Sequence, residues 1–191
     1  MKKTTLAILF AASCISSSAL AANSGNFYIQ GDLLSSALYS SEADGYTDAT
    51  FGQRLSLGYA LDSAPVRIAA DLTNYGSFSD SECYGVGCVE AKLKVTSFGV
   101  SAFYDFKNFE KFVPYIGARV AYTHAKAEAS AVAYGESYYG EGSTTGMGLG
   151  LIGGFQYNFT KQFYLNASLE GSRLWSDVGA GSAQIGLGYR F

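Results

Sequence analysis

The C-terminal octapeptide Gln184-Ile185-Gly186-Leu187-Gly188-Tyr189-Arg190-Phe191 decides the fold. Large apolar side chains occupy every second position of it, and Gly or polar residues occupy the positions between, a period of two that predicts a β-strand. In water such an aromatic-ended strand would be an aggregation-prone edge. In a transmembrane β-barrel the lipid covers the apolar face, and the last strand closes onto the first. We therefore predict a transmembrane β-barrel.

The same alternation recurs upstream and predicts an all-β, eight-stranded antiparallel up-and-down barrel. Seven predicted strands precede the C-terminal one, at about residues 27–34, 50–61, 66–75, 92–106, 112–123, 146–158 and 163–175. The fourth is irregular, because Leu93 and Val95 have the parity opposite to that of Phe98 and Val100. A β-bulge, or a strand that rises above the membrane, would account for this difference.

The predicted connections alternate in length, which predicts the topology. Residues 62–65, 107–111 and 160–162 form short connections, whereas about 35–49, 76–91 and 124–145 form long ones, and 176–179 is a short final connection at the same end. Transmembrane barrels have short periplasmic turns and longer extracellular loops. We therefore expect both termini to be periplasmic and the long loops to be extracellular, in the outer membrane of a Gram-negative bacterium.

The N-terminus has the features of a secretory signal peptide. Lys2 and Lys3 precede a short apolar stretch, and Ala19-Leu20-Ala21 is a small-x-small cleavage site. This pattern predicts a signal peptide over residues 1–21 and a barrel domain over 22–191. The apolar stretch is too short for a spanning helix.

Two cysteines, Cys83 and Cys88, remain in the predicted mature chain. Close spacing in an exported protein predicts a disulfide, which would stabilise by about 2 kcal/mol in the chain-entropy model. A zinc site is the alternative, but the only histidine is His124, far away in sequence. We expect no metal site and no cofactor.

Charged residues on the inward parity predict a polar network inside the barrel. An eight-stranded barrel is just wide enough for side chains to fill, so we expect ion pairs that plug the lumen. The alternative is a narrow ion path. The predicted members are Asp32, Arg54, Arg67, Asp71, Arg119, Glu170 and Arg190.

The charges divide unevenly between the wall and the predicted upper loops. Those loops hold ten acidic residues against one basic residue, Lys126. This balance disfavours nucleic acid and other polyanions as partners and is compatible with a cationic partner. Lys92, Lys94 and Arg173 have outward parity near the upper strand ends, where they would lie beside lipopolysaccharide phosphates or in solvent.

Two patterns with a chemical appearance have simpler interpretations. Gly148, Gly150 and Gly153 match G-x-G-x-x-G, but they lie within a predicted strand rather than between a strand and a helix. His124 has Glu128 and Ser130 nearby, yet the spacing does not match that of lipid-A-deacylating barrels, which place Ser two residues after His. We therefore predict no catalytic residue and no enzyme activity.

The predicted wall resembles the opacity family, including the neisserial surface proteins, and more distantly the OmpA membrane domain. The similarity is carried by Ser101–Phe106, Pro114–Arg119, Gly154–Asn158 and Gly188–Phe191, and it does not extend to the long loops. It implies a surface protein, often an adhesin, with a host-surface receptor. A small porin, or a binder of small hydrophobic ligands or lipopolysaccharide, is the alternative. The acidic loops differ from those of members that bind heparan sulfate.

The resemblance also implies a role for the chain end. Gln184, Gly186, Tyr189 and Phe191 resemble the terminal signal by which the barrel-assembly machinery recognises outer-membrane proteins.

Overall fold

A computed structural model describes residues 26–40, 45–46, 49–84, 87–106, 111–133, 136–175 and 178–191. The predicted signal peptide lies outside these ranges. The described residues form an antiparallel β-barrel, and they contain no helix that is long and apolar enough to cross a bilayer.

Eight long strands form the barrel wall, and a two-residue strand pairs with the first of them. In chain order they are β1 Phe27–Ser40, β2 Gly45–Tyr46, β3 Thr50–Ala60, β4 Val66–Tyr84, β5 Gly87–Asp105, β6 Phe112–Ala133, β7 Glu136–Asn158, β8 Phe163–Trp175 and β9 Val178–Arg190. Each wall strand pairs antiparallel with its neighbour, and β9 pairs with β1. The predicted eight-stranded barrel is confirmed.

The strands are staggered around the closed barrel. A row of directly paired residues that starts at Ile29 on β1 returns to β1 at Tyr39, ten residues further along. It passes through Leu57, Ala70, Val100, Val120, Leu149, Arg173 and Gly179. Such a stagger requires the strands to tilt from the barrel axis. Residues paired in register therefore lie at different depths.

We call the end with Asn26, Phe191 and the connection 61–65 the lower end, and the opposite end the upper end. At the lower end the backbone N–H of Phe191 donates to the carbonyl of Phe27 at 3.0 Å. Outward aromatic rings lie close together here: the Phe27 and Tyr59 centroids are 4.9 Å apart, as are those of Phe163 and Tyr189. Such a girdle is typical of a membrane interface.

The strands of the upper end are longer than the sequence predicts. Residues 76–91 and 124–145 were expected to be long connections, but most of them belong to the β4–β5 and β6–β7 hairpins, which pair as far as Tyr84 with Gly87 and Ala133 with Glu136. Likewise, β1 continues through Ser40. The predicted strands end where large apolar residues no longer occupy the outward positions. The backbone hydrogen bonds between strands continue beyond this point, where the outward side chains are polar.

The irregularity predicted for the fourth strand lies in its neighbour. The register shifts between Asn74 and Ser77 on β4, where Gly76 has a φ of 94°, and β5 continues without a shift against β6. Positive φ is accessible to Gly at little cost, which suits a β-bulge. Val95 therefore points inward, and only 1% of it is exposed, in an apolar cluster.

Candidate functional site

The middle of the lumen contains a closed ring of four charged side chains. Arg54 is 2.6 Å from Glu170, Glu170 is 3.5 Å from Arg119, Arg119 is 2.5 Å from Asp71, and Asp71 is 3.7 Å from Arg54. The four side chains are at most 5% exposed. They come from β3, β4, β6 and β8, so this ionic ring connects four strands across the lumen.

Neutral side chains add hydrogen bonds to the acids and to Arg119 of the ionic ring. Gln184 and Ser172 donate to Glu170 at 2.9 and 2.6 Å, and Thr73 donates to Asp71 at 2.8 Å. Arg119 donates to the hydroxyls of Ser97 and Tyr75 at 2.9 and 3.1 Å. Buried charges are tolerated only when their hydrogen-bonding capacity is filled in this way.

Asp32 lies beside the ionic ring and has different partners from the other predicted acids. It accepts hydrogen bonds from Gln30 at 2.9 Å and from Asn166 at 3.0 Å, and Asn166 in turn accepts from the Tyr115 hydroxyl at 2.8 Å. No Arg forms an ion pair with Asp32 among the described residues. The predicted network therefore divides into an ionic ring and an amide-bonded carboxylate.

The lower part of the lumen holds the other two predicted arginines among aromatic rings. Arg67 is 2.7 Å from Asp105, and its guanidinium carbon is 5.0 Å from the ring centroids of Phe103 and Tyr115. Arg190 lies 4.3 Å from the ring centroid of Tyr164. Aromatic faces attract guanidinium groups. Asp105 was not among the predicted members of the network, although it shares the inward parity of Ser101 and Phe103.

Two lower-lumen tyrosines fit because glycine faces them on the next strand. A β-carbon on Gly188 would lie 2.0 Å from the Tyr164 ring, and one on Gly58 would lie 2.2 Å from the Tyr28 ring. Each Gly is the direct register partner of its Tyr. The glycines of the alternating strands thus make room for side chains that fill the lumen.

Above the ionic ring the lumen is filled by apolar side chains. Leu34, Tyr75, Val95 and Leu174 are each at most 1% exposed. We call this group, with its remaining members, the upper core: Leu34, Leu38, Tyr75, Phe78, Val95, Ala125, Leu174 and Ala180. The described lumen therefore contains three layers of different chemistry, which are aromatic with arginine, ionic, and apolar.

Acids on adjacent strands partly neutralise Lys94, a member of the predicted cationic rim, and Lys126, which was not predicted as part of it. Lys94 and Lys126 are 3.2 Å from Glu128 and Glu141, respectively. The hydrogen bond with Glu141 raises the pKa of the Lys126 ammonium, and the hydrogen bond from Lys94 lowers the pKa of the Glu128 carboxyl. Lys92 is exposed on the same outer face. Arg173 lies on another part of the wall, in register with Leu149 and Gly179.

The remaining predicted sites are placed as follows. Cys83 and Cys88 are direct register partners near the tip of the β4–β5 hairpin, but their side chains lie outside the described residues. Opposed strand residues have Cα separations within the range that a disulfide spans. Among the residues of the predicted C-terminal signal, Gln184 faces the ionic ring, Gly186 is packed against Asp32, and the rings of Tyr189 and Phe191 are 5.2 Å apart.

Both apparent chemical motifs lie on strands of the barrel wall. Gly148, Gly150 and Gly153 lie within β7, which confirms the strand interpretation. His124 is exposed on the outer face of β6, between Thr96 and Thr145 in register. No group of three or more His, Cys, Asp or Glu side chains in the described ranges is arranged to hold a metal ion.

Comparisons with known proteins give a family and close structural neighbours. The model of the family described as Opacity family porin protein matches residues 57–191. An uncharacterized protein of Haemophilus influenzae is 34% identical, covering 86% of this chain and 89% of that protein. Opacity protein V28 of Neisseria gonorrhoeae is 30% identical over 72% of this chain and 77% of its own. The crystal structure of Neisserial surface protein A has a TM-score of 0.65 and 26% identity, covering 88% of this chain and 99% of that one.

Proposed function

Because this chain belongs to the opacity family of outer-membrane β-barrels, we propose that it is a surface protein with a closed lumen, acting in attachment through the strands at its upper end. In this proposal the upper end is extracellular and both termini are periplasmic. The outer-membrane lipid surrounds the wall, and the barrel-assembly machinery inserts the chain by its C-terminal strand.

The ionic ring is the observation that carries the closed lumen. Arg54, Arg119, Asp71 and Glu170 meet across the full width of the barrel, with the upper core on one side and the Arg67 layer on the other. An ion passing through would have to separate buried ion pairs, which costs several kcal/mol. We expect no stable conductance steps in planar bilayers, and large, long-lived steps in the parent protein would overturn the closed lumen.

The long hairpins at the upper end support the attachment role. Above the bulge, β4 to β7 continue as a four-stranded sheet, and its outer face exposes charged residues and a Tyr139 that is 81% exposed. Exposed tyrosine supplies rigid contact area at low entropic cost. The opposite hairpin, β8–β9, ends at Trp175 and Val178. The strands of β4 to β7 therefore extend further at the upper end than the β8–β9 hairpin. We expect the receptor to bind on β4 to β7.

Hairpin shortening tests this role. Removing residues 128–141 and joining 127 to 142 by a two-residue turn leaves the β6–β7 pairs below this point intact, since Ala127 pairs with Gly142. We expect nanodisc-embedded protein to lose most of its binding to cultured epithelial cells, while its unfolding temperature stays near that of the parent. A variant with a substitution in the lower turn, Lys161→Gln, is the control. Unchanged cell binding by the shortened protein would reject the role.

The acidic upper region leads to a second expectation about the partner. Polyanions should bind weakly, because acids outnumber bases in the predicted upper loops. We expect no retention on heparin at physiological salt and no binding to nucleic acid. Retention on heparin that resists 0.15 M salt would mean that Lys92, Lys94 and Arg173 act as an anion site although Glu128 is ion-paired with Lys94.

A further inference from the structure

A row of outward polar side chains crosses the wall near its upper end, and four of its members lie on β3 to β6, before Thr145 on β7. Gln53, Asn74, Thr96 and His124 are successive register partners on β3, β4, β5 and β6. All four side chains are exposed on the outer face. We call this set the polar row. Strands lie about 4.8 Å apart, so the row is about 14 Å wide.

Part of the polar row lies at the depth of the hydrocarbon. Along β3, Gln53 is flanked on the same face by Phe51, which is 83% exposed, and by Leu55, which is 40% exposed, and its register partner Leu33 is 66% exposed. A barrel exposes residues of this kind to lipid. An amide at this depth is costly unless it is hydrogen-bonded.

Within the described ranges, these four side chains have few hydrogen-bond partners. Among the described residues, the side chains of Gln53, Thr96 and His124 form no hydrogen bond. Asn74 uses only its carbonyl oxygen, which accepts from the backbone N–H of Gly76 at 2.9 Å, so its NH₂ group is left to donate elsewhere. The N–H and O–H groups of the polar row that lack an acceptor face outward, toward the surrounding lipid.

An apolar groove runs along the outer face beside the polar row, and the four side chains of the row line part of it. Its volume is about 810 Å³, and it extends across the outer face from Ile29 to Tyr122. Gly31 forms part of its floor, and a β-carbon built there would meet no atom within 4 Å. Leu55, Leu72 and Phe98 form its walls. A groove of this shape suits acyl chains.

Cationic groups lie directly above the polar row on the same strands. Lys94 and Lys126 are two residues above Thr96 and His124, and Lys92 is two residues further up β5. Cations at this height attract lipid phosphates, although Glu128 and Glu141 already neutralise part of the charge of Lys94 and Lys126. From the centre of the membrane outward, the wall therefore offers an apolar groove, neutral hydrogen-bonding groups and ammonium groups.

We propose that this face of β3 to β6 binds one molecule of a phosphorylated, multiply acylated glycolipid of the outer leaflet, with its acyl chains in the groove and its linkage carbonyls hydrogen-bonded to the polar row. A phospholipid carries the same chemical groups but is narrower than the row. The glycolipid is therefore the favoured occupant, because it presents several acyl linkages side by side. The proposal depends on the upper end being extracellular, but not on any receptor.

The test compares two triple variants in nanodiscs. Q53L/T96V/H124L removes hydrogen-bonding groups of the polar row, whereas Y104F/Y157F/Y189F removes three outward hydroxyls from the lower girdle. Each protein is embedded in phosphatidylcholine alone, with added lipopolysaccharide, or with added phosphatidylglycerol. Unfolding temperature and the lipid retained in native mass spectrometry are measured.

We expect lipopolysaccharide to stabilise the parent and the girdle variant, and phosphatidylglycerol to have little effect on either. The polar-row variant should need at least roughly tenfold more lipopolysaccharide for the same protection, because each lost hydrogen bond weakens binding. In phosphatidylcholine alone it should be as stable as the parent or more so, which shows that it folds. Equal protection of the parent and the polar-row variant, or equal protection of the parent by phosphatidylglycerol, would overturn the proposal. Neither result depends on cell binding, so the attachment role is tested separately.

Discussion

The two buried layers in the upper two thirds of the lumen have opposite chemistry at similar burial. The ionic ring is built from Arg54, Asp71, Arg119 and Glu170, and the upper core above it is built largely from leucines and aromatic residues. Both layers exclude water from the middle of the barrel. They differ in how they respond to loss of a side chain: an apolar layer loses contacts, whereas an ionic layer is left with an unpaired charge.

The largest effect is therefore expected from Arg119→Met. This change leaves Asp71 and Glu170 with one guanidinium between them, which costs about 3–5 kcal/mol. Urea unfolding in phospholipid vesicles, followed by tryptophan fluorescence, measures the loss. The double variant Arg119→Met/Asp71→Asn keeps the Arg54–Glu170 pair and should recover at least half of the stability. If Arg119→Met alone is neutral, the ionic ring contributes little beyond its packing.

Leu174→Ala is the matching change in the upper core and should cost less. Removing a fully buried Leu side chain destabilises by roughly 2–4 kcal/mol through lost burial and the remaining cavity. No charged group loses its partner in this layer. A volume-conserving apolar change, Leu174→Met, should therefore leave the stability nearly unchanged. A larger loss for Leu174→Ala than for Arg119→Met in the same urea titration would reverse the comparison between the two layers.

Gly188→Ala tests the third layer, at the lower end. The added methyl group would overlap the Tyr164 ring, and overpacking of this kind costs about 1–3 kcal/mol. The double variant Gly188→Ala/Tyr164→Leu removes the overlap. It should fold at least as readily as Gly188→Ala alone, as judged by the heat-dependent shift on gels. Gly181→Ala, where nothing lies within 4 Å of the added carbon, is the control and should have no effect.

The predicted disulfide acts outside the lumen and should have a more local effect. We expect Cys83 and Cys88 to resist alkylation until they are reduced, and reduction to weaken the hairpin tip by up to about 2 kcal/mol. The rate of limited proteolysis at the hairpin tip, compared between the oxidised protein and the variant Cys83→Ser/Cys88→Ser, measures this weakening. Immediate alkylation of both thiols without reductant would exclude the bond.

The smallest effect is expected at the solvated ion pairs of the outer face. The pKa of Glu128 is lowered in the folded state, so its contribution is present at neutral pH and is lost as the pH falls below the ordinary range for Glu. The pKa of Lys126 is raised, so its contribution is lost only at strongly alkaline pH. Glu128→Gln should therefore differ slightly from the parent at pH 7, and the difference should shrink as the pH falls toward 3. A difference in stability that does not shrink with falling pH would have to arise from something other than charge.

The sequence predicted the wall well because alternation depends on a local period of two. The inward positions of Arg54, Asp71, Arg119 and Glu170 follow from this parity alone, and the narrow lumen then brings them together. Their grouping into a ring could not be predicted, because it depends on the stagger of the strands. The contact between Asp32 on β1 and the Asn166 amide on β8 likewise depends on the relative heights of these two strands, which the sequence does not show.

Two features escaped prediction for identifiable reasons. In the described part of the upper halves of β4 to β7 the outward side chains are mostly polar, so a search for lipid-facing strands ends too early. The polar row is invisible in any single strand, because each strand contributes one member, and only the register between strands reveals it.

The interior charges have one more consequence. In the described lumen Asp32, Asp71, Asp105 and Glu170 balance the four arginines Arg54, Arg67, Arg119 and Arg190. A plug with no net charge exerts little long-range force on small ions of either sign. A variant that opened the lumen while keeping this balance should therefore leak potassium and chloride at similar rates, and its reversal potential in a salt gradient should stay close to zero.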